Sequence, residues 1–421
     1  MFVRDLKIHN KFVVLFNNTL YQYMSGGTEL FLRKLQTKYN TYGISVLSVV
    51  PTKNIFVSMY LDGKYIGVFL FKNVPEIINN IEKVTNSNFQ GILIQQIFNY
   101  NFKLFEDVLE RIDCPIIIGV HDFSLICDSF DFLKNGISFC GISKPSESKC
   151  KDCNRYPHCM VYCNNVDHLL KTIYKKVFKI VFPSEFCKNL WLESYPMFKE
   201  KSVVRQHLNY DENYSPDSNV INNCMLNIGY VGATAKIKGI DEWKKLLKIC
   251  ENENYVKFHY FGNDITTEDI GDKHFVDNRI DSMMMRNELR KNGIHISFLW
   301  SIIPETYSYA YYEAASAGTF CVTCSNSGNI ARQIKKNNNG IVFDDICDLV
   351  ELIKNGRMKK MYYEFINRKN RFSPLNIIDN NDISDFLFPK YFIKIQCKKN
   401  IVLKLKLISQ IYEKHYIEKY K

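Results

Sequence analysis

The sequence predicts an α/β protein made of two doubly wound domains, with helices on both faces of a parallel sheet in each. Continuous apolar runs alternate with segments whose apolar residues have helical spacing, and this alternation occurs in two series. A segment rich in Asp, Asn, Ser and Pro separates the series. We therefore expect an N-terminal domain over 1–208, a linker over 209–224, a C-terminal domain over 225–380, a basic and helical tail over 381–421, and a ligand cleft between the domains.

The first series contains strands that are apolar throughout, which is typical of strands buried on both faces. The predicted strands are Phe12–Phe16, Ile44–Val50 (closed by Pro51), Tyr65–Phe71, Gly91–Ile97, Pro115–Val120 and Val177–Phe182. The predicted helices are Thr28–Tyr39, Pro75–Lys83 and one that starts at Pro183-Ser184.

The second series follows the same pattern with shorter spacing. Its predicted strands are Met225–Val231, Tyr255–Phe261, Ile294–Leu299, Phe320–Thr323 and Gly340–Phe343. Its predicted helices are Asp241–Cys250, Met283–Asn292, Tyr309–Ala317 and Ile330–Lys335. Ligands of such sheets bind beyond the carboxyl ends of the strands.

Composition excludes several classes of protein. The chain has 421 residues, of which 46% are hydrophobic and 24% charged, so intrinsic disorder and collagen are excluded. With 55 basic and 44 acidic residues, the net charge of +11 admits nucleic acid, an anionic membrane or a phosphorylated ligand as partner. No window of 18 apolar residues and no signal-peptide pattern occurs. Together with 14 dilute cysteines, this predicts a cytoplasmic protein.

The segment Pro304–Gly318 carries two glutamates eight positions apart. Glu305 falls in the loop after a strand, where a carboxylate can accept hydrogen bonds from sugar hydroxyls. Glu313 falls in the following helix on the side of the sheet, where it can accept both hydroxyls of a ribose. Free backbone N–H groups at the helix start, near Thr306–Tyr309, can meet a diphosphate.

This segment resembles the E-x7-E signature of retaining glycosyltransferases of family 4, which have the GT-B fold of two Rossmann-like domains. The resemblance implies that Glu305 contacts the donor sugar as a catalytic residue and that Glu313 holds the ribose. It implies donor-binding roles for Ser308, which stands where many members have glycine, and for Tyr309. It extends over residues 12–345 and is densest in 225–345.

Two further segments resemble donor-binding loops of that family. Gly26 and Gly27 follow the first strand and match the glycine loop that faces the donor phosphates. Lys238, in Lys236–Gly239, matches the phosphate-binding lysine, whose ammonium would offset charge on the leaving diphosphate. Ala233 or Thr234 stands where the family has an arginine, and Lys236 is a candidate replacement.

His121 follows the strand Pro115–Val120, at the position of the family's active-site histidine. A histidine there can donate a hydrogen bond near the donor sugar without a fixed charge. The alternative is a structural hydrogen bond at a strand end.

A cysteine-rich insert spans about 140–163. Its C-x2-C-x5-C-x3-C spacing makes Cys150, Cys153, Cys159 and Cys163 candidate ligands of a structural zinc ion, with Cys140 and His158 nearby. A loop of reduced thiols is the alternative. No cofactor is expected to be required for catalysis.

The sequence thus predicts a retaining glycosyltransferase that uses a UDP- or GDP-sugar and a glycan or lipid-linked acceptor, in cell-surface polysaccharide biosynthesis. The alternatives are a GT-B sugar-nucleotide epimerase and a non-catalytic basic protein that binds membrane or nucleic acid. Nucleic acid is disfavoured, since the aromatic residues form no RNA-binding motif. The stretch Cys397–Lys421 is rich in lysine. It suggests either a segment that contacts the inner face of an anionic membrane or a helix packed on the first domain.

Overall fold

The computed structural model describes residues 8–24, 26–53, 55–141, 143–210, 225–263, 268–277, 281, 283–368, 371–374, 376–391 and 393–397. The chain divides into two compact units. The first comprises Met1–Arg205 and Asn381–Lys421, and the second comprises Gln206–Asn380.

The first unit contains an eight-stranded sheet and its flanking helices. The strands up to residue 205 are β1 (Lys11–Phe16), β2 (Ile44–Lys53), β3 (Phe56–Leu61), β4 (Lys64–Leu70), β5 (Asn88–Ile94), β6 (Ile112–Asp113), β7 (Ile116–Gly119), β8 (Leu133–Lys134), β9 (Ser138–Phe139), β10 (Val177–Phe182) and β11 (Ser202–Val204). The helices are α1 (Gly27–Thr41), α2 (Val74–Thr85), α3 (Phe102–Glu110), α4 (Glu147–Cys150), α5 (His158–Ile173) and α6 (Glu185–Ser194). The order of strands in the sheet is β11-β10-β7-β5-β1-β2-β3-β4.

Both faces of this sheet are buried, as the apolar strands predicted. In β1, Phe12, Val14 and Phe16 join one core cluster with residues of α2, α3, α5 and α6. Val13 and Leu15 join a second cluster with residues of α1. Because neighbouring residues of a strand point to opposite faces, an unbroken apolar run is the pattern that a doubly covered strand requires.

One edge of the sheet differs from the prediction, because β2, β3 and β4 pair antiparallel. The predicted end of β2 at Pro51 is wrong: the strand continues to Lys53. Pro51 lies beyond Val49, the last residue of β2 that pairs with β1, so its missing N–H leaves no gap in that ladder. Asp62 and Gly63, both at positive φ, form the tight turn between β3 and β4.

The second unit contains a six-stranded parallel sheet in the order β15-β14-β13-β16-β17-β18, and a separate pair β12-β19. The strands are β12 (Leu208–Tyr210), β13 (Leu226–Val231), β14 (Val256–Gly262), β15 (Asp272–Phe275), β16 (Ile296–Phe298), β17 (Phe320–Cys324), β18 (Gly340–Phe343) and β19 (Ile377–Asp379). The helices are α7 (Ile240–Ile249), α8 (Met284–Lys291), α9 (Tyr309–Ser316), α10 (Asn329–Asn337), α11 (Ile346–Lys354) and α12 (Arg357–Ile366). One core cluster contains residues of α7, α11 and α12, and another contains residues of α8, α9 and α10.

The predicted linker coincides only in part with the described residues. Asn209 and Tyr210 lie in β12 and pair with Ile378 and Ile377 of β19. Residues 211–224 lie outside the described residues. The linker prediction therefore included two residues that belong to a strand.

The chain returns to the first unit after Asn380. The buried side chains of Ile383 and Phe386 join the core cluster that contains α1. The short strand β20 (Lys394–Ile395) pairs antiparallel with β6. The prediction of a helical tail over 381–421 is wrong for its described part, which forms a 3₁₀ turn (Ser384–Phe386) and β20, and 398–421 lies outside the described residues. None of the described helices is long and apolar enough to cross a membrane.

Candidate functional site

The second unit brings Lys238 and Glu305 together. Lys238 lies in a 3₁₀ turn after β13, and Glu305 lies in the loop after β16. The ammonium of Lys238 donates to Oε1 of Glu305, and the Ser301 hydroxyl donates to the same oxygen over 2.9 Å. The side chains of Lys238 and Glu305 are 39% and 15% exposed, so a ligand can reach both.

This pair lies at the point where the order of strands reverses. From β13 the chain builds outward through β14 and β15, and it then returns to the other side of β13 with β16. The loops after β13 and β16 leave the carboxyl edge of the sheet on either side of this reversal, which is where ligands bind in open α/β sheets. The sequence motif therefore falls at the position that the topology alone favours for a ligand.

Two glycines fix the backbone around the pair. A Cβ on Gly239, at φ +82°, would lie 2.1 Å from the carbonyl oxygen of Trp300. A Cβ on Gly328, at φ +62°, would lie 2.7 Å from the backbone nitrogen of Glu305. Asn329 N also donates to the carbonyl oxygen of Glu305 over 2.9 Å. Because both close approaches exclude a side chain, glycine is required where the loops meet.

Glu313 lies in α9, eight residues after Glu305, and only 8% of it is exposed. Ser308 is the N-cap of this helix, and its hydroxyl accepts from the backbone N–H of Tyr311 over 3.3 Å. The serine therefore satisfies one N–H group of the first helical turn, which lies beyond the N–H groups of Thr306–Tyr309 that the sequence analysis assigns to a diphosphate. Tyr309 is half-buried and stacks on His207, with ring centroids 5.6 Å apart.

Ala233 and Thr234, one of which stands where family 4 has an arginine, lie in the loop between β13 and the 3₁₀ turn. Ala233 is exposed and Thr234 is half-buried. The Lys236 side chain is exposed, two residues before Lys238. A second cation is thus present in this turn.

In the first unit, His121 follows β7 and lies next to Gln95, which follows β5. His121 Nε2 lies 2.5 Å from Oε1 of Gln95, and the imidazole packs against Phe31 with ring centroids 4.9 Å apart. Burial lowers the pKa of His121 to about 3. The imidazole is therefore neutral at pH 7. Because Gln95 Oε1 can only accept, the single N–H of the neutral ring is the Nε2–H that donates to Gln95.

Gly26 and Gly27 begin α1, and Gly26 is its N-cap. The Glu29 carboxylate folds back over this helix start, because its Oε2 would lie 2.2 Å from a Cβ on Gly26. Glu29 Oε1 accepts from the Thr19 hydroxyl over 2.9 Å. A carboxylate at the helix N-terminus takes the place that favours an anion, and this arrangement does not favour a donor phosphate there.

The cysteine-rich insert places four of its thiols around one small cavity. Cys140, Cys150, Cys153 and Cys159 line it, whereas the Cys163 thiol donates to the carbonyl oxygen of Ile126 over 3.0 Å. Among the described residues, no three His, Cys, Asp or Glu side chains are arranged to hold a metal ion. Of the four cysteines that the C-x2-C-x5-C-x3-C spacing predicts as zinc ligands, three line the cavity and Cys163 does not.

Neither a protein-family model nor a curated protein matches the chain. Solved structures do match. WaaG, a glycosyltransferase involved in lipopolysaccharide biosynthesis, has 12% sequence identity and a TM-score of 0.50, covering 83% of this chain and 91% of WaaG. A glycosyltransferase from Rickettsia africae has 14% identity and a TM-score of 0.50, covering 87% of this chain and 95% of its own.

The chain has the GT-B fold. The mixed α/β composition and the parallel sheets of the two units agree with this assignment, which confirms the predicted fold class. The second unit presents Lys238 and Glu305 together at the carboxyl edge of its sheet, and Glu313 lies in the helix that follows. These groups can bind a diphosphate, the hydroxyls of a sugar and a ribose.

Two residues at these positions were not singled out in the sequence. Ser301 holds Glu305, and Gln95 holds His121. Ser301 follows the predicted strand Ile294–Leu299 by two residues, so its place at the carboxyl edge was a usable signal. Gln95 falls inside the predicted strand Gly91–Ile97, whereas β5 ends at Ile94 and leaves Gln95 just beyond it. Their partners were not readable, because the loops that bring them together have no periodic pattern.

Proposed function

We propose that the protein is a retaining glycosyltransferase that moves a sugar from a nucleotide-diphosphate donor to a glycan or lipid-linked acceptor. The supporting observation is the contact of Lys238 with Glu305 at the strand reversal of the second unit, followed by Glu313 in α9. Cell-surface polysaccharide biosynthesis is the proposed setting, by similarity to WaaG and by the resemblance to family 4.

In this proposal, Lys238 binds the donor diphosphate and Glu305 accepts hydrogen bonds from the donor-sugar hydroxyls. The charges of the two side chains neutralise each other. A bound donor supplies the phosphate charge for Lys238 and the hydroxyls for Glu305, so both groups exchange one partner for another. Glu313 accepts the ribose hydroxyls from the buried face of α9.

The reaction is a front-face displacement in which the leaving group acts as base. The bond between the anomeric carbon and the diphosphate oxygen breaks, and the electron pair stays on the diphosphate. The acceptor oxygen forms its bond to the same face of that carbon, and its proton passes to the diphosphate oxygen. Lys238 stabilises the charge that develops on the leaving group. For His121 to donate a hydrogen bond to the reacting sugar, its Nε2–H exchanges Gln95 for a sugar oxygen.

A panel of UDP- and GDP-sugars, scored by thermal stabilisation, tests donor binding. The matching nucleotide sugar should raise the unfolding temperature, and Glu313→Ala should abolish the shift. Glu351→Ala, on an exposed position of α11 in the same unit, is the control and should keep it. A shift that survives in the Glu313 variant contradicts this placement of the donor.

Product analysis tests the reaction class. NMR of the product should show the anomeric configuration of the donor. Conversion of the nucleotide sugar to its epimer without an acceptor would instead identify an epimerase and refute transfer.

We also propose a cytoplasmic location, with contact to an anionic membrane through residues 398–421. That segment carries seven lysines and two glutamates interleaved with Ile, Leu and Tyr. Basic residues near an anionic surface each contribute about 1 kcal/mol. Sedimentation with vesicles containing phosphatidylglycerol should be lost when 398–421 is deleted, and equal sedimentation of the shortened chain contradicts the contact.

A further inference from the structure

The hydroxyl of Ser301 is surrounded by three hydrogen-bond acceptors. Its oxygen lies 2.9 Å from Oε1 of Glu305, 3.0 Å from the carbonyl oxygen of Ile303 and 3.1 Å from that of Ile237. A serine hydroxyl has one proton and can donate it to one acceptor at a time. Because the carboxylate is both the nearest acceptor and the charged one, the bond to Glu305 is the strongest of the three.

The backbone of Ser301 is fixed by other contacts. Its carbonyl oxygen accepts from the Ser327 hydroxyl over 2.7 Å and from the Cys324 thiol over 3.0 Å. Its N–H donates to the carbonyl oxygen of Leu299 over 3.1 Å. Only 2% of Ser301 is exposed. The serine therefore keeps its place through contacts that do not involve Glu305.

The two partners of Glu305 differ in how they respond to a ligand. Lys238 is charged and 39% exposed, so a phosphate can draw its ammonium group away from Glu305. Ser301 is buried and uncharged, so it keeps its bond to the carboxylate. Both partners bind the same oxygen, Oε1, and none of the described residues donates to Oε2. The carboxylate thus has one oxygen that is held and one that a ligand can use.

We infer that Ser301 is a positioning residue, which holds the Glu305 carboxylate through Oε1 and so leaves Oε2 to accept from the donor-sugar hydroxyls. The inference rests on the proposed transferase function. In that function Lys238 binds the diphosphate of the donor, and Ser301 is then the partner that keeps the carboxylate in place. The serine itself makes no contact with the donor.

A double-mutant cycle measured by urea unfolding tests the contact without any substrate. Ser301→Ala, Glu305→Ala and the double variant are compared with the parent chain. The loss that Ser301→Ala causes in the unfolding equilibrium constant should be at least about threefold larger when Glu305 is present. Ser297→Ala is the matched control, because Ser297 is a buried serine of β16 whose hydroxyl instead contacts that of Thr319 over 2.7 Å. Its effect should be the same with and without Glu305.

Initial rates test the positioning. In Ser301→Ala, kcat/KM for the nucleotide sugar should fall about tenfold, the size expected for a lost hydrogen bond to a charged group. The Kd of the free nucleoside diphosphate should change less than about threefold, because Lys238 is still present. In the Glu305→Ala background, Ser301→Ala should lower kcat/KM no further, since no carboxylate is left to position. Ser297→Ala should leave kcat/KM unchanged.

The inference is overturned if the unfolding cycle is additive or if kcat/KM is unchanged in Ser301→Ala. It is also overturned if Ser301→Ala lowers kcat/KM equally with and without Glu305, because the serine would then act on the site by another route. A parent chain that turns over no nucleotide sugar counts against the proposed donor function. The unfolding cycle then still decides whether Ser301 holds Glu305.

Discussion

At the scale of single residues, the ion pair of Lys238 with Glu305 sets the charge that a ligand meets. The pair is partly exposed, so it contributes at most about 1 kcal/mol to the free energy of unfolding. Under the proposed function its effect is on donor binding, because the Glu305 carboxylate would compete with a donor phosphate for the ammonium group of Lys238.

Glu305→Gln should therefore separate binding from turnover. Loss of the carboxylate charge frees Lys238 for the diphosphate, so affinity for the free nucleoside diphosphate should stay equal or rise. Turnover should fall about 10²-fold, since a donor-sugar contact of the transition state is lost. Calorimetry and initial rates measure the two quantities, and a parallel fall in both would contradict the competition. Lys238→Met is the complementary variant and should weaken diphosphate affinity.

His121 should make the first unit less stable in acid. The unfolded chain protonates this histidine near pH 6.5, whereas the folded pKa is about 3, so the unfolded state binds more protons in that window. The free energy of unfolding should fall as pH drops from about 6.5 to about 3. His121→Asn should flatten this dependence in urea titrations, and an identical pH profile would contradict a buried neutral imidazole.

Asp122 contributes in the opposite direction, because burial raises the pKa of its carboxyl group. Its protonation in the folded state offsets part of the acid loss. Asp122 is present in both the parent chain and the His121→Asn variant. The difference between their pH profiles of stability therefore reports the contribution of His121.

At the scale of elements, the loop that carries Glu305 depends on a glycine in the facing loop. Gly328→Ala introduces both a positive-φ penalty and a Cβ 2.7 Å from backbone atoms of Pro304 and Glu305. Gly356→Ala, at φ +71° with open space around its Cβ, introduces the φ penalty alone. The Gly356 variant should cost about 1–2 kcal/mol. The Gly328 variant should cost more and should also lower donor affinity.

Urea unfolding measures the loss in free energy of unfolding for each variant. Equal losses would show that the backbone around Gly328 adjusts to the added Cβ without further cost. A larger loss of stability in Gly328→Ala with unchanged donor affinity would show that close packing of Gly328 on Glu305 does not position the Glu305 loop for the donor.

The cysteine-rich insert remains a predicted zinc site. If zinc is bound, elemental analysis of protein purified without chelator should give about one zinc per chain. Cys150→Ser and Cys153→Ser should lower the content to near zero, and Cys347→Ser, an exposed cysteine of the second unit, should not. A parent protein free of zinc would refute the prediction. Because Cys140 lines the cavity and Cys163 does not, Cys140→Ser should act more strongly than Cys163→Ser.

The elements that the sequence predicted correctly are those with a continuous apolar run or a strong helical period. Val177–Phe182 and Gly340–Phe343 were predicted with their exact bounds. The strand β3 was not predicted, although Asp62-Gly63 is a recognisable hairpin turn. Apolar and polar residues alternate less clearly in β3. Pro51 suggests the end of β2, whereas in the structure β2 continues past Pro51 and pairs there with β3 alone.

The candidate site could be predicted only where a motif fixed it. Glu305, Glu313 and Lys238 were found through their spacing and order along the chain. The contact of Lys238 with Glu305 joins residues 67 positions apart and could not be read from local patterns.

At the scale of the whole molecule, the returning segment 381–397 is an integral part of the first unit. Phe386 is 1% exposed, and its carbonyl oxygen accepts from the hydroxyl of Tyr39. Asp385 pairs with Lys179 over 2.8 Å. Residues near the end of the described chain thus pack in the same core cluster as residues of β1 and α1.

Phe386→Ala should therefore destabilise the first unit strongly. Truncation of a buried phenylalanine costs about 3–5 kcal/mol through lost burial and the cavity left behind. Phe178→Ala, at a side chain that is 42% exposed on β10, is the control and should cost much less. Urea unfolding monitored by tryptophan fluorescence measures both, and equal small losses would contradict the packing of the returning segment.

The same return makes the second unit an insertion within the first. Its two ends are adjacent, since Asn380 Nδ2 donates to the carbonyl oxygen of Gln206 over 3.0 Å. The cut ends of the first unit are adjacent as well, since Arg205 Nε donates to the carbonyl oxygen of Asp382 over 2.7 Å. Either unit can therefore be excised and its chain rejoined with a linker of a few residues. The second unit can then be exchanged for another while the first unit keeps both parts of its chain.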